Sequence, residues 1–241
     1  MPDSILLDEP VRLLTDDMRS SVQAYSLLAV IGNGCNRLSE IAGRLNKPAT
    51  QLSKPLANLI DLGYIRKENP FNENEKSSKK SLYKINDPFF SFYFRYILPN
   101  KSRIELGLKK QVMKNIKESI SHFIGQFWEH LSCNSVPFTN IEGINWDIAK
   151  RWWGKDNEGN VQEVDIISES FDKKSLLIGE AKWEEKTDME KLGNELTKKI
   201  NNLPFIKKYK KIIKAYWLKH PPMDRAGYNI FSPADVLSVL R

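Results

Sequence analysis

Three short bursts of apolar residues at helical spacing follow one another early in the chain. Val22, Tyr25 and Leu28 make one stripe, ended by Gly32 and Gly34. Leu38, Ile41, Ala42 and Leu45 make a second, opened at Ser39 and closed by the Asn46-Lys47-Pro48 turn. Leu52, Leu56, Leu59 and Ile60 make a third, closed by Gly63. This third helix has two possible starts, Thr50 or Ser53; with Ser53 as the cap, Pro55 falls in the first turn, where a missing N–H costs nothing. The period then shortens: Tyr64 to Glu68 and Ser81 to Ile85 are strand-like, separated by a polar loop over residues 69–80. Three helices and a two-stranded wing predict a winged helix-turn-helix. Residues 1–18 mix Leu and Val with acids and Pro10 and are expected to form a connecting arm. The stretch from Asp87 to Leu98 holds Phe89, Phe90, Phe92, Tyr93, Phe94 and Tyr96, too aromatic for a free linker, and is predicted to pack as a helix, with base stacking as the alternative use.

Beyond this point the pattern is that of a second domain. One apolar stripe from Ile104 through Val112, Ile116, Phe123 and Phe127 to Leu131 predicts a single long helix. Strand-like segments follow at Asn145 to Trp153, Val161 to Ser168 and Ser175 to Trp183, then a helix from Thr187 to Asn202, a strand from Lys211 to Leu218 and a last helix opened by Ser232-Pro233. The expected organisation is therefore α/β and α+β in two domains: an arm (1–18), a winged helix with its aromatic linker helix (19–98), and an α/β domain with a central mixed sheet (99–241).

Composition excludes whole classes. The chain has 241 residues, 41% hydrophobic and 28% charged, with 12 Gly and 12 Pro, so it is neither collagen-like nor disordered. Its two cysteines, Cys35 and Cys133, are far apart and make no disulfide framework, which with no targeting layout at the start favours a cytoplasmic home. No apolar run approaches the length of a membrane crossing. The formal charge of +7 is spread over both halves and permits a polyanionic partner without demanding one.

Candidate chemistry concentrates in two neighbouring strands, Glu163-Val164-Asp165-Ile166-Ile167 and Gly179-Glu180-Ala181-Lys182-Trp183. A hairpin closed at Asp172 and Lys173 sets Asp165 opposite Glu180, Glu163 opposite Lys182 and Ile167 opposite Ile178, all on one face, with Val164 and Ala181 on the other. Directly opposed like charges repel, so a cation should lie between Asp165 and Glu180. Two readings meet that need. In one, Asp165 and Glu180 are oxygen ligands of Mg²⁺ or Mn²⁺, Lys182 orients a water, and Glu129 on the preceding helix is a fourth member. In the other, Lys182 neutralises the acids as a structural ladder with no metal. The apolar flanks, Leu176-Leu177-Ile178 and Ile166-Ile167, put these acids in a strand buried on both faces, where an uncompensated carboxylate is costly, and this favours a site.

Helix with Glu129, strand with Asp165 and strand with Glu180-Ala181-Lys182 resembles the PD-(D/E)xK nuclease superfamily. The resemblance implies a restriction-endonuclease-like domain, metal at Asp165 and Glu180, and catalytic roles for Glu129, Asp165, Glu180 and Lys182 in cutting DNA. Val164 stands where that motif often has Pro. The wider order of Leu7-Asp8-Glu9-Pro10, the winged helix, Arg151-Trp152-Trp153 and the two acidic strands is similar to the carboxy-terminal half of archaeal-type DEXX-box P-loop ATPases. No Gly-x-x-x-x-Gly-Lys-Ser/Thr occurs, so ATP hydrolysis is not expected from this chain; the implied partner is a P-loop ATPase domain, in a longer protein or in trans.

As a reader of DNA, the winged helix would turn Gln51, Ser53 and Lys54 to a major groove and Arg66, Lys67, Lys76, Lys79 and Lys80 to phosphates. The alternative is a protein-docking module. Lys199, Lys207, Lys208, Lys210, Lys211 and Lys214 form the densest basic region, either a solvated face or a hold on a phosphate backbone beside the acids. Trp146, Trp152 and Trp153 are read as packing residues, and His130 is given no role. The expected function is metal-dependent DNA hydrolysis, the alternative a non-catalytic regulatory portion of an ATPase.

Overall fold

A computed structural model describes residues 4–17, 21–73, 80–225 and 227–240, with the side chains of 4–7 left aside. The chain divides into two compact units, residues 1–69 with 74–118, and residues 70–73 with 119–241.

In the first unit, α1 (Ser4–Asp17) precedes α2 (Ser21–Gly32), α3 (Leu38–Leu45) and α4 (Ala49–Asp61). The expected arm is thus helical, and Leu14 is fully buried in the core beside Leu27, Leu28 and Ile31. Helix α4 begins at Ala49, earlier than either predicted start, and Pro55 lies inside it. Leu52, Leu56 and Leu59 decide this, because all three are buried on one face and only a helix running through Pro55 aligns them. Strands β1 (Ile65–Glu68) and β2 (Leu82–Ile85) pair antiparallel, Ile65 opposite Ile85.

The aromatic stretch becomes α5 (Pro88–Phe92), capped by Asp87, whose carboxylate accepts the Phe90 N–H, and then a π-helical turn over Tyr93–Ile97. Phe90, Tyr93, Phe94 and Tyr96 are buried, and Tyr25 meets Phe94 edge-on at 5.1 Å, so these rings are core. Helix α6 (Lys101–Glu105) and helix α7 (Lys109–Ser135) replace the single long helix expected from Ile104. Gly107, at φ 80°, ends the first in a left-handed conformation, and Leu108 is left exposed.

The second unit is built on a five-stranded mixed sheet, ordered β3 (Lys150–Lys155), β4 (Val161–Glu169), β5 (Ser175–Lys182), β6 (Lys211–Leu218) and β7 (Asn229–Phe231). The first three strands meander antiparallel; β5, β6 and β7 run parallel. The β5-to-β6 crossover carries α8 (Met189–Asn202), and α9 (Pro233–Val239) ends the described chain behind a Ser232–Asp235 capping box. Leu192, Leu196 and Ile200 of α8 pack on Ile167, Ile178 and Tyr216. The opposite face, with Ile166, Leu177, Ala181 and Trp217, packs on Trp128, Cys133 and Val136. Trp146, Trp152 and Trp153 are buried packing residues.

The central strand is apolar on both faces because both are covered; Ser175 through Ala181 are all buried. A Cβ at Gly179 would stand 2.5 Å from Trp217 Cζ3 and 2.8 Å from the Ala215 carbonyl oxygen, so only glycine lets the Trp217 ring lie against the strand. Among the described residues, no helix is long and apolar enough to cross a membrane.

Candidate active site

The hairpin closes at Asp172 and Lys173, and Ile166 faces Gly179 and Ile167 faces Ile178. One step further the ladder stops. Lys150 is opposite Ile167 but Trp152 is opposite Val164, so Asp165 and Ile166 together face Arg151 in a β-bulge. The bulge turns Val164 to the α8 side, among Ile167 and Ile178, while Ala181 packs on the α7 side. Strict alternation had paired Val164 with Ala181; an inserted residue in β4 breaks that pairing. In place of a main-chain bond, the Asp165 carboxylate accepts the Ala181 N–H through Oδ2 at 3.1 Å.

This break in the sheet brings the predicted acids together. Glu180 and Lys182, two residues apart on β5, share a face, and Lys182 Nζ donates to Glu180 Oε2 at 2.9 Å while lying 3.9 Å from Asp165 Oδ2. The second oxygen, Glu180 Oε1, accepts from Lys199 Nζ at 2.7 Å. Only 3% of the Glu180 side chain is exposed, so both lysines are held against a desolvated carboxylate. Helix α8 presents Lys199 because it lies three residues after Leu196 and seven after Leu192, on the edge of the inward stripe. Glu129, on α7, has its Oε2 3.3 Å from Arg151 Nε, and Arg151 Nη2 is 3.4 Å from Glu163 Oε2. Arg151 therefore takes Glu129, and the bulge residue Asp165 lies opposite that arginine.

The two buried acids are driven apart electrostatically. Burial, then the charges of Glu180 and Glu129, push the Asp165 carboxyl up to about 7 against the opposing pull of Lys182 and the Ala181 N–H. Burial acts on Glu180 in the same direction, but the charges and hydrogen bonds of Lys182 and Lys199 outweigh it and hold Glu180 below its ordinary value. Lys182, partly desolvated, is nevertheless raised by Glu180 and Asp165 and stays an ammonium. The centre is thus one ionised carboxylate clamped by two ammonium groups, beside one carboxyl poised near neutrality.

The other sequence candidates are scattered. Gln51, Ser53 and Lys54 are exposed on α4, and Ser53 Oγ bonds back to the Ala49 carbonyl. Arg66 is engaged by Glu68 at 2.8 Å and by the Ile85 carbonyl. Lys67 is half-buried on β1 and Lys80 is exposed, whereas Lys76 and Lys79 lie outside the described residues. Within the basic region, Lys199 donates to Glu180, Lys211 pairs with Glu142, and Lys214 donates to Thr197. His130 Nε2 lies 3.4 Å from Asn134 Nδ2, one turn along the same helix. Among the described residues no group of three or more His, Cys, Asp or Glu is arranged to hold a metal ion; the carboxylate pair Asp165 and Glu180 is the donor set available.

What fold and centre define together is a mixed α/β protein with a buried carboxylate–lysine cluster where a hairpin parts beside its central strand. Residues 93–200 match the DUF234 family, described as "Archaea bacterial proteins of unknown function". The chain is also 30% identical over 208 residues to the uncharacterized protein MJECL04 of Methanocaldococcus jannaschii, a match that covers 82% of this chain and 44% of that protein, so the chain spans less than half the length of this relative. No solved structure gives a significant match.

Proposed function

We propose that the chain is a DNA-binding protein whose second unit is a restriction-endonuclease-like domain hydrolysing phosphodiesters with Mg²⁺ or Mn²⁺, and whose α2–α4 and β1–β2 form a winged helix. The observation that carries this reading is the convergence of Asp165, Glu180 and Lys182 at a bulge beside a fully buried strand, where charged groups are costly to desolvate.

The donor set fits a hard divalent ion. Mg²⁺ takes one or two carboxylates and completes its shell with water and substrate phosphate, and Asp165 and Glu180 are two buried carboxylates whose repulsion such an ion would relieve. Bound there, it would activate water and offset charge on the phosphodiester. Lys182, kept protonated by its two acids and in contact with both, would orient the attacking water and stabilise the developing phosphate charge. Glu129 and Arg151 position β3 against the bulge and so fix where Asp165 points. The exposed Gln51, Ser53 and Lys54 on α4 are the groove-facing candidates of the winged helix, and a P-loop ATPase portion, in cis or in trans, is the partner this reading implies.

Incubating DNA with the chain and Mg²⁺ or Mn²⁺ tests the reading. The wild type should cut, and Glu180→Gln and Lys182→Ala should each lose at least about 100-fold. No cutting by the wild type, or equal cutting by all three, defeats it. A second reading is favoured by one observation: both Glu180 oxygens and Glu129 are already ion-paired by this chain's own lysines and arginine. In that case the acids are structural, and the chain binds DNA with strong salt dependence but cleaves nothing.

A further inference from the structure

We propose that Lys199 is a displaceable stopper of the metal site, which couples divalent-ion binding to phosphodiester binding. This rests on the metal-dependent reading above and assigns the site a regulation that its motif residues do not contain. Lys199 comes from α8, outside the Asp165 and Glu180-Ala181-Lys182 pattern, yet it makes the shorter of the two lysine contacts to Glu180.

The reason is electrostatic. An ion taken up by Asp165 and Glu180 must reach a carboxylate whose two oxygens are both occupied, one by Lys182 and one by Lys199. Two ammonium groups beside two carboxylates leave no net negative charge to draw a dication in. A phosphodiester reverses this, because its anionic oxygens offer the ammonium groups an alternative partner and supply the oxygen ligands that two carboxylates lack. Lys199 is the lysine free to change partner. Its side chain reaches Glu180 from a separate helix, whereas Lys182, equally exposed, is fixed two residues from Glu180 on the same strand and faces Asp165 as well. The protein would therefore keep the ion out until a nucleic-acid backbone arrives, and by thermodynamic reciprocity the ion would tighten the backbone by the same factor.

Calorimetric titration of Mn²⁺ into the whole chain, alone and with a short phosphorothioate-linked DNA duplex that resists hydrolysis, tests this without any measure of activity. For the wild type the duplex should tighten Mn²⁺ binding by about tenfold or more. Lys199→Gln should bind Mn²⁺ about tenfold tighter in the absence of DNA and gain little more from the duplex. Lys199→Arg, which keeps the charge and the reach, should behave as the wild type. If the wild type takes up Mn²⁺ but Lys199→Gln changes neither its affinity nor the effect of the duplex, the stopper is refuted while the metal site stands. If no form takes up Mn²⁺ with or without the duplex, the stopper and the metal-dependent reading fall together.

Discussion

At the scale of residues, the position of Asp165 makes a prediction about stability. Its carboxyl is pushed from 3.8 in an ordinary setting to about 7 here, so folding works against its ionisation. The sign follows: an acid whose folded value is raised destabilises the fold increasingly as pH climbs from its unfolded value to its folded one, and by a constant amount beyond. Asp165→Asn keeps an oxygen for the Ala181 N–H and removes the charge. Relative to the wild type it should therefore gain stability as pH rises from about 4 to about 7 and hold that gain above, by about 1–3 kcal/mol in urea unfolding. A difference between the two proteins that stays level with pH would show that Asp165 is ionised without cost. The register up to Ile166 opposite Gly179 was legible in the sequence, because a tight turn at Asp172-Lys173 fixes it and apolar neighbours mark the strands as buried, but the expected opposition of Asp165 and Glu180 is not formed; Lys182 links the two acids instead. Lys199 was legible only as one of many lysines, although its place on the edge of the Leu192-Leu196 stripe was a usable signal. The bulge was not legible, since an extra residue in β4 leaves no mark on the alternation of Glu163, Asp165 and Ile167.

At the scale of elements, two helices departed from expectation, one where a local stop signal prevailed over a continuous stripe and one where packing outweighed a local backbone cost. Gly107 divided a continuous stripe because a left-handed turn suits glycine, whereas α4 starts early enough to place Pro55 in its interior because Leu52, Leu56 and Leu59 are worth more buried together than one hydrogen bond. That balance can be measured. An interior proline lacks the N–H that would bond four residues back, to Gln51, and crowds that carbonyl. Pro55→Ala restores the bond and keeps the buried leucines in place, so it should stabilise the helical unit by about 1–3 kcal/mol, read as a higher melting temperature in far-ultraviolet circular dichroism. A lower melting temperature would mean that the proline ring, which is half-buried, contributes packing that exceeds its backbone cost.

At the scale of the whole molecule, the least legible feature is how the chain is shared between its two units. Residues 69–80 read as one polar loop, yet Pro70 and Phe71 within it are buried, and residues 70–73 belong to the sheet unit. The only trace in the sequence is an apolar pair set among Asn, Glu and Lys, too short for any periodic pattern to register. Phe71 packs against Phe205 at 5.4 Å between ring centres, Phe205 meets Trp152 edge-on, and the Phe71 N–H donates to the carbonyl of Arg151, the residue that pairs with Glu129. Phe71→Ala should therefore destabilise the sheet unit by about 2–4 kcal/mol, a core-sized penalty for a residue that sequence alone assigns to a loop. The readout is selective, because all six tryptophans, from Trp128 to Trp217, lie in that unit. Urea unfolding followed by tryptophan fluorescence should shift to lower denaturant in the variant, and a transition that stays where the wild type has it would return residues 70–73 to the status of a solvated loop.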